Sequence, residues 1–242
     1  MNAASLCALL LAYLLGALPS AWLAGKWAKG IDIRQHGSGN MGATNVFRVL
    51  GPGPGVAVLL ADIAKGALAV LLVPRLFPGY DGQAGAPWDV PTLSALWWPC
   101  VLGLAAVLGH SYTLFLGFKG GKGVATSLGV FLALAPLATL AAVAVFGGVF
   151  WVTRMVSAGS LAAAAFLPGA VALFNEWRPW TGRPEGFFES LSLAGQDGWR
   201  ARPVLCLALV LSLLVWLKHL PNIRRILAGT ESKILSGKGR GA

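Results

Sequence analysis

Long apolar segments recur along the whole chain and limit the folds that it can adopt. About 20 consecutive apolar residues carry a helix across the hydrocarbon core of a bilayer. Segments of this kind lie near residues 3–25, 54–74, 93–116, 123–135, 136–153, 156–175 and 203–219. Only 12% of the residues are charged, against roughly a quarter in soluble domains. We therefore predict an all-α integral membrane protein with about seven transmembrane helices.

The segment 123–153 leaves the number of spans open. Its length is too great for one tilted helix and too small for two helices that both cross fully. Pro136, near its middle, favours a break because proline interrupts a helix. The alternatives are two short spans or one broken span, and they place the C-terminus on opposite sides of the membrane.

Basic residues favour two spans in this segment, because Lys and Arg accumulate in cytoplasmic loops. With seven spans, the inner side carries Lys26, Lys29, Arg34, Arg48, Lys119, Lys122, Arg154, Lys218, Arg224, Arg225, Lys233, Lys238 and Arg240. The outer side carries only Arg75, Arg178, Arg183, Arg200 and Arg202. We predict one multi-pass domain over residues 1–242, with an outside N-terminus as an uncleaved first span and a cytoplasmic C-terminus.

The net charge of +10 indicates anionic partners such as phosphates or lipid headgroups. Membrane topology alone would also make the inner face basic. Nucleic acid is not expected, because the basic residues lie in short segments between helices. The three cysteines, Cys7, Cys100 and Cys206, lie in apolar segments without the spacing of a metal site. We therefore expect neither a disulfide framework nor a metal site.

The first polar segment is residues 36–48, between the first two spans. Its nominal G-x-G-x-x-G lacks the preceding strand that a dinucleotide site needs. Small residues at Gly37 and Gly39 let backbone N–H groups approach an anion. Candidate side chains follow at Ser38, Asn40, Thr44, Asn45 and Arg48. If residues 41–50 are helical, Thr44, Asn45 and Arg48 share a face; the alternative is a simple glycine-rich turn.

The second polar segment is residues 109–126. It fails the pattern of an ATP-binding P-loop on both sides of Lys122. Its glycines nevertheless precede an apolar helix, whose N-terminal N–H groups favour a phosphate. The predicted phosphate-binding residues are Lys119, Gly120, Gly121, Lys122 and Gly123. The alternative is a glycine turn with a lysine that extends to the membrane surface.

The third polar segment, residues 218–233, follows the last span and holds His219 and Asn222 near the membrane surface. A histidine there can exchange protons near neutral pH. Within the second span, Asp62 and Lys65 are three residues apart and can pair. Charges inside a membrane usually mark function, although a structural ion pair fits equally well. His110, at the end of the third span, can likewise bind backbone or another helix.

These segments resemble, in order, the three cytoplasmic motifs of the bacterial acyl-phosphate:glycerol-3-phosphate acyltransferase family. The matching stretches are GSGNMGATNVFR, GHSYTLFLGFKGGKGVAT and HLPNIRRILAGTESK. The resemblance implies a bacterial cytoplasmic-membrane enzyme that makes lysophosphatidic acid from glycerol 3-phosphate and a long-chain acyl phosphate, among membrane lipids and without a cofactor. It implies that Ser38 and Arg48 belong to the active site, with His219 and Asn222, and that Glu231 braces the third segment against a base. It assigns no partner protein.

The expected chemistry is direct attack of the sn-1 hydroxyl on the acyl carbonyl. No histidine has an aspartate five residues later, so the H-x-x-x-x-D pair of coenzyme A-dependent acyltransferases is missing. An acyl phosphate is already activated, so positioning and charge stabilisation can carry most of the rate. The base is either His219 or the donor phosphate. The main rival is an organic-anion transporter, but its polar groups would be spread through the spans.

Overall fold

A computed structural model describes residues 3–77, 91–174 and 202–234. The helices are α1 (Ala3–Ala17), α2 (Ser20–Lys29), α3 (Ala43–Leu50), α4 (Pro52–Leu71), α5 (Val73–Leu76), α6 (Pro91–Ser111), α7 (Val124–Leu134), α8 (Pro136–Thr153), α9 (Val156–Phe174), α10 (Arg202–Lys218) and α11 (Leu220–Leu227). All seven predicted apolar segments are helical where the structure describes them. The prediction of an all-α membrane protein is confirmed.

Within the described residues, five helical stretches are long and apolar enough to cross a membrane: Ala3–Lys29, Pro52–Leu71, Trp97–Leu116, Pro136–Thr153 and Val156–Phe174. A sixth is the pair α10 and α11, which bends by 57°. The predicted break in 123–153 lies at Ala135, and α8 begins at Pro136. Helix α7 has 11 residues, or about 16 Å, roughly half the hydrocarbon thickness. This short helix matches the predicted segment 123–135, which Pro136 separates from the next apolar segment.

Some residues in the predicted topology lie outside the described part of the chain. They are Arg178, Arg183 and Arg200 of the predicted outer side, and Lys238 and Arg240 of the C-terminal tail. The helices group into two compact units, Met1–Leu134 and Ala135–Ala242. The single-domain assignment stays a prediction.

In the first unit, α1 packs against α6, and α4 packs against α3 and α7. Gly66 of α4 lies directly against the backbone of α7, and Gly129 of α7 lies against the backbone of α4. A side chain at either position would separate the helices, so these small residues allow the close packing that is common between membrane helices. Pro19 separates α1 from α2, and Gly51 separates α3 from α4. These breaks bring polar segments to the ends of the helices.

In the second unit, α9 packs against both α8 and α10. Ser212 Oγ of α10 donates a hydrogen bond to the carbonyl of Ala164 on α9, at 2.6 Å. Helix α8 ends at Arg154, which adopts a left-handed conformation with φ of 59°. The Arg154 carbonyl accepts a hydrogen bond from the N–H of Ile234, at 2.8 Å. The end of the third polar segment is therefore fixed at the turn between α8 and α9.

Candidate functional site

The loop of the first polar segment is organised around the buried side chain of Asn45. Asn45 is 1% exposed, and its Nδ2 donates to the carbonyls of Ile33 and His36, at 3.2 and 3.0 Å. Its Oδ1 accepts from the N–H of Ser38, at 2.8 Å. One side chain thus binds three backbone groups of the loop, and the two carbonyls also accept from the N–H groups of His36 and Gly39.

Ser38 lies exposed at the surface of this loop. The glycines on each side of it, Gly37 and Gly39, have φ of 62° and 69°, a backbone conformation that residues with a side chain rarely adopt. A Cβ on Gly37 would also collide with Asn45 Oδ1. The glycines are therefore required by the loop's shape, which presents Ser38 outward.

The predicted shared face of α3 is only partly present. Thr44 and Arg48 lie on the accessible side of α3, with Thr44 half-buried and Arg48 exposed. Asn45 instead points under the loop, where its hydrogen bonds hold Ser38. The reason is that α3 follows the loop directly, so the buried face of its first turn is available to cap the loop's backbone. Asn40, the other predicted polar residue of the loop, is half-buried.

Sequence reasoning missed an ion pair beside this loop. The Asp32 carboxylate accepts from the Arg34 guanidinium, with Nη2 at 2.6 Å, and from the Arg34 N–H, at 3.0 Å. Hydrogen bonding by the Arg34 side chain holds the pKa of Asp32 well below its usual range and raises the pKa of Arg34. Arg34 therefore contributes less positive potential to the inner face than its charge suggests.

The glycine turn of the second segment packs directly on His110. The N–H of Gly121 donates to the His110 carbonyl, at 3.0 Å. A Cβ on Gly121 would overlap His110 Nε2, and a Cβ on Gly120 would overlap the His110 carbonyl oxygen. Gly123 has φ of 79° and leads into α7. The turn thus has a shape that only glycines allow, at the N-terminus of a helix.

The lysines of this segment differ in exposure, with Lys119 exposed and Lys122 half-buried. The first and second segments meet at one end of the first unit, because the carbonyl oxygen of Met41 lies beside Gly121. A small cavity at this junction is lined by Ala17, Leu18, Pro19, Ser20, Met41, His110, Thr113 and Gly121. The structure therefore brings the predicted Ser38 loop and the predicted phosphate turn together.

Asp62 and Lys65 form a buried ion pair below this junction, with 2.7 Å between Oδ1 and Nζ. Ser20 Oγ donates to Asp62 Oδ1 at 2.5 Å and accepts from Lys65 Nζ at 2.9 Å. Lys65 Nζ also donates to the Leu18 carbonyl, at 2.5 Å. His110 Nδ1 lies 3.6 Å from Asp62 Oδ1. The predicted pairing is confirmed, whereas Ser20 was not predicted because its partners are more than 40 residues away in sequence.

In the second unit, Glu231 is the acceptor for three side chains. Its Oε1 accepts from Ser157 Oγ and Asn222 Nδ2, both at 2.7 Å. Its Oε2 pairs with Arg225 Nε, also at 2.7 Å. Because Nδ2 of Asn222 is directed to Glu231, the orientation of the Asn222 amide is fixed. Ser157 is a further residue that the motif did not reveal.

His219 is buried at the junction of α10 and α11. Its Nδ1 lies 2.7 Å from the carbonyl of Val215, one turn earlier. A carbonyl accepts, so Nδ1 carries a proton and donates to it. His219 and Asn222 thus lie together in the second unit, as their spacing predicts.

The Glu231 interactions predict a pH-dependent stability. Burial alone would raise the pKa of the carboxyl, but hydrogen bonds from its three donors outweigh burial and lower the pKa. Glu231 therefore stabilises the fold above the pKa of an unfolded glutamate, about 4.3, and this stabilisation is lost as the pH falls through the lower folded-state pKa. We expect Glu231→Gln to lower the melting temperature at pH 6 by about 2–4 °C.

Comparing the melting temperatures of the wild-type protein and Glu231→Gln at pH 3 distinguishes the contribution of Glu231 from that of the other carboxyl groups of the protein. Both proteins are destabilised by acid, but the difference between their melting temperatures should become smaller at pH 3. A constant difference from pH 6 to pH 3 would contradict the assignment. The measurement is thermal unfolding in detergent, followed by intrinsic tryptophan fluorescence.

Comparisons with known proteins agree on one family. The profile of the family described as Glycerol-3-phosphate acyltransferase matches residues 6–229. The chain is 40% identical over 223 residues to a glycerol-3-phosphate acyltransferase of Halalkalibacterium halodurans, covering 92% of this chain and 91% of the relative. It is 42% identical over 223 residues to that of Geobacter sulfurreducens, covering 92% and 93%.

A solved structure is similar along nearly the whole chain. It is the crystal structure of PlsY (YgiH), an integral membrane glycerol 3-phosphate acyltransferase, in its glycerol 3-phosphate form. The TM-score is 0.69 with 35% sequence identity, and 95% of each chain is covered. A second structure of PlsY, the lysophosphatidic acid form, matches with the same values.

Proposed function

Since the chain belongs to the glycerol-3-phosphate acyltransferase family of integral membrane enzymes, which acylate glycerol 3-phosphate to lysophosphatidic acid, we propose that its acyl donor is a long-chain acyl phosphate. One observation carries the proposed site: the glycine turn before α7 lies against the loop that presents Ser38. An anion-binding turn and an exposed polar loop thus occur at one end of the first unit.

We assign the phosphate of glycerol 3-phosphate to the turn formed by Gly120, Gly121 and Gly123. The backbone of this turn carries no side chains at its glycines, so a phosphate can approach it closely, and it continues into the N-terminus of α7. The N–H groups at the N-terminus of a helix, together with the helix dipole, favour an anion at this position. Lys119 and Lys122 flank the turn and add positive charge. PlsY, the similar solved structure, has a glycerol 3-phosphate form.

The acyl chain has an apolar surface next to this turn. Leu114, Phe115 and Phe118 are each at least half exposed, and Lys119 follows immediately. A long-chain acyl phosphate has an apolar chain that can contact the apolar side chains and a phosphate that can contact the lysine next to them. Arg48, exposed on α3, is a candidate for the donor phosphate because a guanidinium binds phosphate oxygens in pairs.

The reaction we propose has no covalent enzyme intermediate. The sn-1 hydroxyl oxygen bonds to the acyl carbon, the bond from that carbon to the bridging phosphate oxygen breaks, and inorganic phosphate leaves. Ser38 and Asn222 would orient the reacting groups, with Asn40 and Thr44 as further polar contacts. The hydroxyl proton passes either to His219 or to the donor phosphate, whose oxygens lie next to the attack.

We further propose seven crossings, with the N-terminus outside and the C-terminus in the cytoplasm. The distribution of Lys and Arg supports this orientation. Helix α7 is then the shortest crossing, and thinning of the bilayer around it can compensate for its length. Single-cysteine labelling tests the orientation: a reagent that cannot cross the membrane should modify Ser232→Cys from the cytoplasmic side. Labelling from the outer side alone would overturn it.

The donor is tested with purified protein in lipid. We expect glycerol 3-phosphate and palmitoyl phosphate to give lysophosphatidic acid and inorganic phosphate in equal amounts, without added metal or coenzyme A. Palmitoyl-coenzyme A is the control donor and should not replace the acyl phosphate. Turnover with palmitoyl-coenzyme A alone would overturn the proposed donor. Accumulation of unmodified glycerol 3-phosphate inside vesicles would instead support transport.

The Lys122→Ala variant tests the phosphate turn. Loss of one charged hydrogen bond to phosphate is worth about 1.5–3 kcal/mol, so KM for glycerol 3-phosphate should rise about 10- to 100-fold, with a smaller change in kcat. Lys26→Ala is the matched control, because Lys26 is exposed and stacks on Trp22 instead. Unchanged kinetics in a folded Lys122→Ala protein would remove this residue from the site.

A further inference from the structure

A buried polar network lies under the glycine turn and has no direct part in the reaction above. Its members are Ser20, Asp62, Lys65 and His110. The side chains of Asp62 and Lys65 are 1% and 5% exposed. Charges at such depth are costly unless they are paired and hydrogen-bonded. The burial of apolar surface therefore does not explain why charged residues occupy these positions.

The Lys65 ammonium of this network is fully hydrogen-bonded. Lys65 Nζ has three hydrogens and reaches three acceptors: Asp62 Oδ1, Ser20 Oγ and the Leu18 carbonyl, at 2.7, 2.9 and 2.5 Å. Ser20 uses its own hydrogen for Asp62 Oδ1. These hydrogen bonds favour one geometry, because moving Ser20, Asp62 or Lys65 breaks a bond at low dielectric. The position of the Asp62 carboxylate is thus closely defined.

The network reaches the glycine turn through His110. The Asp62 carboxylate lies 3.6 Å from His110 Nδ1, which is too far for a hydrogen bond but places the two side chains against each other. The opposite ring atom, Nε2, abuts Gly121, and the His110 carbonyl accepts from the Gly121 N–H. Gly121 is therefore held between the ring and the carbonyl of one residue, so a shift of His110 displaces the turn.

We propose that Ser20, Asp62 and Lys65 are positioning residues, which fix His110 and through it the phosphate-binding turn. This inference rests on the proposed function of that turn. A purely structural ion pair would join α4 to the start of α2 and would affect only the stability of the protein. A positioning network should change the KM for glycerol 3-phosphate in particular, because we assign the phosphate of that substrate, and not the acyl chain, to the turn.

The Ser20→Ala variant tests this proposal without changing any charge. It removes the hydroxyl that joins Asp62 to Lys65, and we expect KM for glycerol 3-phosphate to rise about fivefold. The KM for palmitoyl phosphate and kcat should stay within about twofold. Ser20→Thr keeps a hydroxyl and should restore the wild-type KM. Asp62→Asn, which removes the charge, should raise KM further.

Ser212→Ala is the matched control, because it loses the hydroxyl that binds the Ala164 carbonyl in the second unit. It should lower the melting temperature without changing either KM. A lower melting temperature of Ser20→Ala with both KM values unchanged, or an equal rise in both, would overturn the positioning role. If Asp62→Asn does not fold, the comparison of Ser20→Ala with Ser20→Thr still tests the positioning role.

Failure of the proposed donor is distinguished from failure of the network by a binding measurement. Glycerol 3-phosphate alone should raise the melting temperature of the wild-type protein, whichever donor is used. Ser20→Ala should need about five times more glycerol 3-phosphate for the same rise. Equal requirements in the two proteins would overturn the network, and an inactive wild-type protein with palmitoyl phosphate would overturn only the donor.

Discussion

The Asn45→Ala variant should lose at least about 100-fold in kcat while it remains folded. Asn45 is 1% exposed and makes three hydrogen bonds to the loop that carries Ser38. Its removal takes one of two donors from each of the two carbonyls and takes the acceptor from the Ser38 N–H, at a cost of about 1–3 kcal/mol for a group left buried and unpaired. The loop should relax to recover these bonds, and a displacement of about 1 Å can cost 100-fold in rate.

Steady-state kinetics of Asn45→Ala distinguish two roles for this residue. If Asn45 were a direct substrate ligand, as its place in the motif predicts, its loss would mainly raise KM. If it shapes the loop, kcat falls even at saturating concentrations of both substrates. Thr139→Ala is the control, because Thr139 Oγ1 donates to the Ala135 carbonyl in the second unit, at 2.6 Å. A folded Asn45→Ala protein with kcat within about threefold of wild type would contradict the loop role.

Much of the helical structure is predictable from sequence, because apolar length and proline positions act locally. The break before α8 follows from Pro136, and the end of α3 follows from Gly51 and Pro52. The short length of α7 follows in the same way, because the predicted segment 123–135 contains the helix Val124–Leu134.

The three polar segments are also recognisable from sequence, because glycines and polar residues in apolar surroundings are conspicuous. Their internal contacts are not. Asn45 binds the carbonyls of Ile33 and His36, and such bonds depend on the path of the loop rather than on residue type. Ser20 joins Asp62 and Lys65 across more than 40 residues, for which one sequence contains no signal. Helix ends and glycine turns are local properties, whereas side-chain networks depend on tertiary structure.

The Gly121→Ala variant should raise KM for glycerol 3-phosphate by at least about 30-fold. The added Cβ would overlap His110 Nε2 and lie 2.9 Å from the Met41 carbonyl oxygen. Backbone atoms and a ring held against Asp62 cannot move aside cheaply, so the turn must shift instead. The N–H groups that we assign to the phosphate would then point elsewhere. Gly147→Ala is the control, since a Cβ at that position of α8 meets nothing within 4 Å.

A double variant tests whether collision with His110 causes the defect of Gly121→Ala. His110→Ala alone should also raise KM, because the turn loses the ring against which it packs. If the ring causes the collision, adding His110→Ala to Gly121→Ala should bring no further loss and should recover part of the affinity. Residues in direct contact show such non-additive effects, whereas independent residues show additive ones. Multiplicative KM increases in the double variant would therefore show that Gly121 and His110 act separately, and would also remove the link between the buried network and the turn.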